Sequence, residues 1–210
     1  MPVDHPQYPV NLVVAGRRCL VVGGGAVAAR KVEGLLACGA DITVVAPEVG
    51  GAIEQLGVAV ERRPYERGEV AGYRLAVAAT DDPSVNAAVF ADGEAAGVWV
   101  NAADDPASCS YTLPSVVRRG PLLVTVATGG HSPAVAAWLR TRLDAELGDE
   151  YVTLIDLVSE AREAVRATGR SSEALDWRGA LDSGMLELIR SGRTEQARER
   201  LQACLSSSSD

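Results

Sequence analysis

Three consecutive glycines, Gly23, Gly24 and Gly25, follow the apolar run CLVV at 19–22 and precede a helix-forming stretch that ends near Gly39. The run has the length and β-branched content of a strand buried on both faces. The turn itself, Gly23-Gly24-Gly25-Ala26-Val27-Ala28, fits the spacing G-x-G-x-x-A. In that spacing the first glycine permits a tight strand-to-helix turn and the second lets a pyrophosphate approach the backbone. The small final residue lets helix and strand pack closely. Amides at the start of the helix, including those of Ala26 and Val27, then face the phosphates. A second apolar run, DITVVA at 41–46, begins just after Gly39, which has the place of a helix C-cap. A dinucleotide site therefore explains the stretch better than a plain strand-turn-helix does.

The end of the second strand bears on which dinucleotide. Ala46 stands where an acid usually receives the adenosine ribose hydroxyls, and the nearest acid is Glu48, beyond Pro47. The ribose contact falls either to Glu48 or to backbone around Pro47. No arginine follows at once to accept a 2′-phosphate, which favours NAD over NADP.

Residues 8–14 (YPVNLVV) read as a short strand leading into 19–22, and further strands are expected at 58–62, 75–79 and 98–101. Between the last two, Thr80-Asp81-Asp82-Pro83 opens a helix reaching about Ala96. Asp82 caps it and Pro83 takes its first position, while Thr80 lies at the carboxyl edge of the sheet, where ligands bind in open α/β folds. The alternation of strand and helix through residue 101 predicts a Rossmann-type, doubly wound parallel sheet. Strands at 111–117 and 122–127 are joined by only Arg118-Arg119-Gly120-Pro121, too short for a parallel crossover, so they pair antiparallel or join another sheet. A helix starts with Ser132 as cap and Pro133 next, and runs to about Leu147. Helices are expected at about 151–167, 173–190 and 194–205, with a polar, disordered tail at 206–210.

Two segments can carry chemistry. Asn101-Ala102-Ala103-Asp104-Asp105-Pro106 follows the fifth strand, so its side chains belong at the sheet's carboxyl edge. A carboxylate there serves as a general base or binds a cationic substrate nitrogen; it is also what a solvated turn before proline contains. The residue pattern leaves Asp104 and Asp105 equivalent. Thr128, Gly129, Gly130, His131 and Ser132 offer glycine amides and a helix N-terminus, a seat for carboxylates or phosphate or simply a capped helix start. Arg118, Arg119, Arg140 and Arg142 are near in sequence and either add positive charge for a polyanion or are scattered surface arginines.

Bulk properties exclude several classes. The formal net charge of −8 argues against a general nucleic-acid binder. Lys31 is the only lysine, which removes the Walker lysine of a P-loop and the tyrosine-lysine pair of short-chain dehydrogenases. With only His5 and His131 and no C-x-x-C pair among four cysteines, no metal site is expected. Residues 1–7 carry Asp4, His5 and two prolines, so no signal peptide or membrane span is expected there, and the cysteine usage suits a reduced cytosolic protein.

Taken together, GRRCLVVGGGAVAARKVEGLLACGADITVVAPE (16–48), AATDDPSVN (78–86), VNAADDP (100–106) and TLPSVVRRGPLLVTVATGGHSPAVAAWLR (112–140) resemble the precorrin-2 dehydrogenases. These form the amino-terminal half of siroheme synthases, and some are also sirohydrochlorin ferrochelatases. The resemblance implies NAD-dependent oxidation of precorrin-2 to sirohydrochlorin. It places the essential aspartate on Asp104. The dinucleotide contacts fall on Gly23, Gly25, Ala26 and Val27, on Pro47 and Glu48, and at Thr80. It aligns Thr128 with a serine of some members just before the double glycine, and the tetrapyrrole is expected against Asn101 and against Thr128, Gly129, Gly130, His131 and Ser132. It also implies a homodimer, with an NAD-binding domain at 1–112, a dimerisation segment at 113–147 and a helical domain at 148–205. The fused methyltransferase half of some relatives has no counterpart here. Ferrous iron as a second substrate is open, because some relatives are dehydrogenases only. The competing readings are an NAD-sensing module without turnover and a dehydrogenase of another small acid.

Overall fold

In the computed structural model, which describes residues 5–103, 105–169 and 171–207, five short strands form one parallel sheet. These are β1 (Arg18–Val22), β2 (Asp41–Val45), β3 (Ala59–Glu61), β4 (Leu75–Ala78) and β5 (Trp99–Ala102), in the order β3-β2-β1-β4-β5. The order reverses direction at β1, which pairs with β2 on one side (Val22 opposite Val45) and β4 on the other (Val22 opposite Ala78). That reversal opens a crevice beyond the carboxyl ends of β1 and β4. Along β1, Cys19 and Val21 pack into one apolar cluster with Val44, Val77, Ala28 and Val32, while Leu20 and Val22 pack into another with Val89 and Val100. Helices cover both faces: α1 (Ala26–Leu36) belongs to the first cluster and α3 (Pro83–Ala96) to the second. Burial on both faces is why the strands read as continuous apolar runs and not as alternating ones.

Residues 8–14 form no strand, contrary to expectation, and Tyr8 and Val13 are largely exposed. Both edges of β1 are already taken by β2 and β4, so the apolar segment before it cannot pair beside β1. At the other end of the sheet the edge of β5 is covered by its own chain. Residues 109–111 turn back antiparallel, Ser110 N donating to Val100 O at 2.8 Å, and Asn101 bridges to Cys109. The crossover from β3 to β4 is held by Asp92 on α3, which accepts from Tyr65 Oη (2.8 Å), Arg67 Nε (2.9 Å) and Gly68 N (2.7 Å). A four-residue helix, α2 (Gly51–Glu54), lies between β2 and β3.

The described residues fall into two compact units, one ending at Leu113 and including Gly129–His131, the other made of Pro114–Thr128 and the residues from Ser132 on. In the second unit β6 (Ser115–Arg119) and β7 (Leu122–Val126) form an antiparallel hairpin, with Val117 opposite Val124. Helix α4 (Pro133–Glu146) packs on it, with Arg119 paired to Asp144 at 2.9 Å. Helix α5 (Glu150–Ala167) and three more helices enclose a separate apolar cluster around Leu157, Met185, Leu188 and Leu201. The helix expected over 173–190 is broken into α6 (Trp177–Leu181) and α7 (Met185–Arg190). Asp176 caps α6 by accepting from Gly179 N, and Gly184, at φ 89°, has a left-handed conformation that ends any continuous helix. Helix α8 (Thr194–Ser207) runs two residues into the expected tail. No helix among the described residues is long and apolar enough to cross a membrane.

Candidate functional site

The glycine crook lies where β1 delivers the chain to the crevice. Gly23, at φ 127°, donates to Val45 O at 2.9 Å, and a Cβ there would come within 2.2 Å of Ala79 O. At Gly24 a Cβ would meet Glu48 O at 1.8 Å, while the Gly24 carbonyl accepts from Gly50 N at 2.9 Å. The crook is thus pressed between the chain after β2 and the chain after β4, and neither glycine has room for a side chain. Gly25 differs: a Cβ would meet nothing within 4 Å, so open space faces it. Gly25 is the N-cap of α1 and no side chain caps the helix. By contrast Asp82 caps α3 and Ser132 caps α4. The first amides of α1, on Ala26, Val27 and Ala28, have no intrahelical acceptor and lie at the positive end of the helix dipole. A bare helix start beside an open glycine fits a pyrophosphate.

On either side of the crook stand the other expected cofactor contacts. Pro47 and Glu48 are exposed in the loop that touches Gly24. Thr80 follows β4, and its amide donates to Asn86 Oδ1 (3.2 Å) while Asn86 Nδ2 donates back to Thr80 O (3.0 Å). Asn86 is buried and so fixes the loop from inside α3. Sequence reading overlooked it; the signal was an asparagine one turn inside a helix whose cap is Asp82.

Asp104 lies outside the described residues. Its neighbours define the loop that carries it. Asp105 is committed elsewhere: Oδ1 accepts from Ala107 N (3.2 Å) and Oδ2 from Ser108 Oγ (2.7 Å), capping a short 3-10 turn. Cys109 draws the two ends of the loop together, its thiol lying 3.3 Å from Ala102 O and 3.3 Å from Asp105 O. Burial pushes the Cys109 thiol above its ordinary pKa, so it stays protonated and able to donate. The structure gives Asn101 a scaffold role, its buried Nδ2 donating to Tyr111 O (3.0 Å) and to Cys109 Sγ (3.4 Å).

In the glycine segment before α4, Thr128 Oγ1 accepts from Ser132 N (3.1 Å), and Ser132 Oγ accepts from Val135 N (3.3 Å). Gly129 and Gly130 both have left-handed backbones, at φ 58° and 78°. His131 is exposed. Of the nearby arginines, Arg119 is tied to Asp144 and Arg142 lies 5.1 Å from the centre of the Trp138 ring. Among the described residues no cluster of three metal-ligating side chains occurs.

Sheet order, crevice and glycine crook define an open α/β dinucleotide-binding protein. Residues 10–115 match the family model NAD_binding_7, described as "Putative NAD(P)-binding", and the chain belongs to that family. It is 36% identical over 206 residues to a siroheme synthase of Nitrosococcus oceani, covering 95% of this chain and 44% of the relative. It is 39% identical over 201 residues to that of Chromobacterium violaceum, covering 93% of this chain and 43% of the relative. The chain therefore spans less than half the length of these curated relatives. Among solved structures it is similar to a protein described as SirC, precorrin-2 dehydrogenase. That match has a TM-score of 0.70 at 25% identity and covers 96% of this chain and 100% of that one.

Proposed function

We propose that the chain is an NAD-dependent dehydrogenase that converts precorrin-2 to sirohydrochlorin. The observation that carries this reading is the end-to-end similarity to the dehydrogenase structure, which spans both compact units and not the dinucleotide fold alone. Bound NAD supplies the hydride acceptor. Gly25, Ala26 and Val27 hold its pyrophosphate, and Pro47, Glu48 and Thr80 border the rest. Asp104 accepts the proton released as the substrate loses its hydride. Cys109 and Asn101 tie down residues on either side of that position. Thr128, Gly129, Gly130, His131 and Ser132 line the seat for substrate carboxylates, which the amides of Gly129, Gly130 and His131 receive while the Ser132 amide stays on Thr128 Oγ1. Incubation with precorrin-2 and NAD should produce the sirohydrochlorin spectrum together with NADH. Asp104→Asn should abolish both while retaining NADH binding. NADH binding by the wild type with no turnover would instead identify a sensing module. Adding ferrous iron to the same reaction tests for siroheme formation.

The reading includes a homodimer. Val116, Val135 and Trp138 expose apolar surface on the hairpin and α4, Trp138 at 56%. Trp138→Glu should convert a dimer to a monomer in sedimentation; an unchanged mass would exclude this face. We place the protein in the cytoplasm, consistent with cysteines that form no disulfide among the described residues.

A further inference from the structure

The fingerprint's usual acid is missing at Ala46, yet the structure brings a cation beside that position which sequence spacing did not reveal. Strand β3 pairs with β2 so that Val45 lies opposite Glu61, and Ala46 N donates to Glu61 O at 3.2 Å. Arg62 is the next residue, so it leaves the sheet at the carboxyl edge adjacent to the end of β2. Helix α2 follows the loop that touches the glycine crook, and its Glu54 forms an ion pair with Arg62. Both side chains are about half exposed, at 52% and 51%. Such a pair is weak and opens at little cost.

Its neighbours are also neutralised. Arg63 is held by Glu61 and by Glu69 (2.7 Å), and Arg67 by Asp92 (2.6 Å). Every guanidinium between Arg62 and Arg67 thus has a carboxylate partner, and Glu48 adds a further negative charge on the adjoining loop. A ribose with free hydroxyls tolerates this edge; a 2′-phosphate brings about two more negative charges to it.

We propose that the Glu54–Arg62 ion pair sets the preference of this site for NAD over NADP, by keeping occupied a cation that stands at the end of β2, where a 2′-phosphate would lie. The proposal rests on the dinucleotide site and not on the tetrapyrrole reaction. It is tested on the full chain by titrating NADH and NADPH fluorescence, with circular dichroism to verify folding. The wild type should bind NADH at least tenfold more tightly than NADPH. Glu54→Gln should narrow that ratio about three- to fivefold by strengthening NADPH, leaving NADH within about twofold. The double variant Glu54→Gln/Arg62→Gln should return the ratio to that of the wild type. Equal affinities in the wild type, an unchanged ratio in Glu54→Gln, or a ratio still narrowed in the double variant would each overturn the proposal. A second measurement needs no variant: raising salt should weaken the wild type's discrimination, and a salt-independent ratio also overturns it.

Discussion

Gly24 and Gly25 are adjacent in the same crook, and alanine at each should fail for a different reason. At Gly24 the added methyl would start 1.8 Å from Glu48 O, and reaching an ordinary contact of 3.4 Å requires a shift of about 1.6 Å. That carbonyl belongs to the loop that also donates Gly50 N to Gly24 O, so the shift breaks a hydrogen bond as well. Overpacking of this kind costs about 1–3 kcal/mol, or roughly 3–10 °C in a chain of this size. At Gly25 the backbone is extended, with φ −85° and ψ −173°, and no atom lies within 4 Å of a new Cβ. Alanine there reduces the entropy of the unfolded chain by about 0.4–1 kcal/mol, and loses a comparable amount as a poorer N-cap. The two terms nearly cancel, leaving Tm within about 2 °C. The methyl occupies the space through which the pyrophosphate reaches the α1 amides, so NADH affinity should fall at least tenfold, about 1.4 kcal/mol. Calorimetry and NADH titration on both variants separate the effects. If Gly25→Ala bound NADH as the wild type does, the crook would not be the phosphate seat.

Other outcomes follow from the same contacts. The Arg67 guanidinium, with the Gly68 amide and the Tyr65 hydroxyl, holds the Asp92 carboxyl down at about 2, against an ordinary 3.8. A depressed carboxylate stabilises the fold above its unfolded value and loses that contribution as pH falls through the folded one. Wild-type stability should therefore decline between about pH 4 and pH 2, whereas Asp92→Ala, lower by about 2–3 kcal/mol at neutral pH, should show a smaller decline, what is left coming from other depressed carboxylates such as Asp82 and Glu150; urea midpoints across the range test it. Asn101→Ala leaves Tyr111 O without its donor and should cost about 1–3 kcal/mol while making the 102–109 loop more sensitive to protease. Turnover should drop more than NADH affinity, and equal losses would argue against Asn101 acting through that loop.

The parallel sheet was legible because each central strand is an apolar run with no polar face to hide, and because glycines mark the turns where helices begin and end. The strand expected at 8–14 has the same composition as a real one. What it lacks is a place beside β1, whose two edges are taken by β2 and β4, a property of strand order that no local pattern carries. The break inside 173–190 was visible in principle, since Asp176 and Gly184 are the cap and left-handed residue that make it. The contacts around Asn101 were not, because its partners at Cys109 and Tyr111 depend on the chain turning back along β5. Of the two aspartates that spacing left equivalent, Asp105 becomes a cap only once residues 106–108 form their 3-10 turn. The Glu54–Arg62 pair was hidden for a similar reason, since it is the parallel register of β2 and β3 that brings Arg62 to the end of β2.

Both loops at the carboxyl edge of the sheet share one kind of anchor, a polar side chain bonded to loop backbone. After β4, Asn86 exchanges hydrogen bonds with both backbone groups of Thr80; after β5, Asn101 and Cys109 bind carbonyls on either side of the 102–109 loop. A loop open to solvent on one side cannot be anchored by covering it, so polar side chains beneath it add to the packing of Ala79, Ala102 and Ala103 in holding its position. Each such bond contributes only about 1 kcal/mol net, yet leaving one unmade costs more, because the partner is already out of water. Substituting these asparagines should therefore loosen the edge locally before it unfolds the sheet, and catalytic geometry should respond before global stability does.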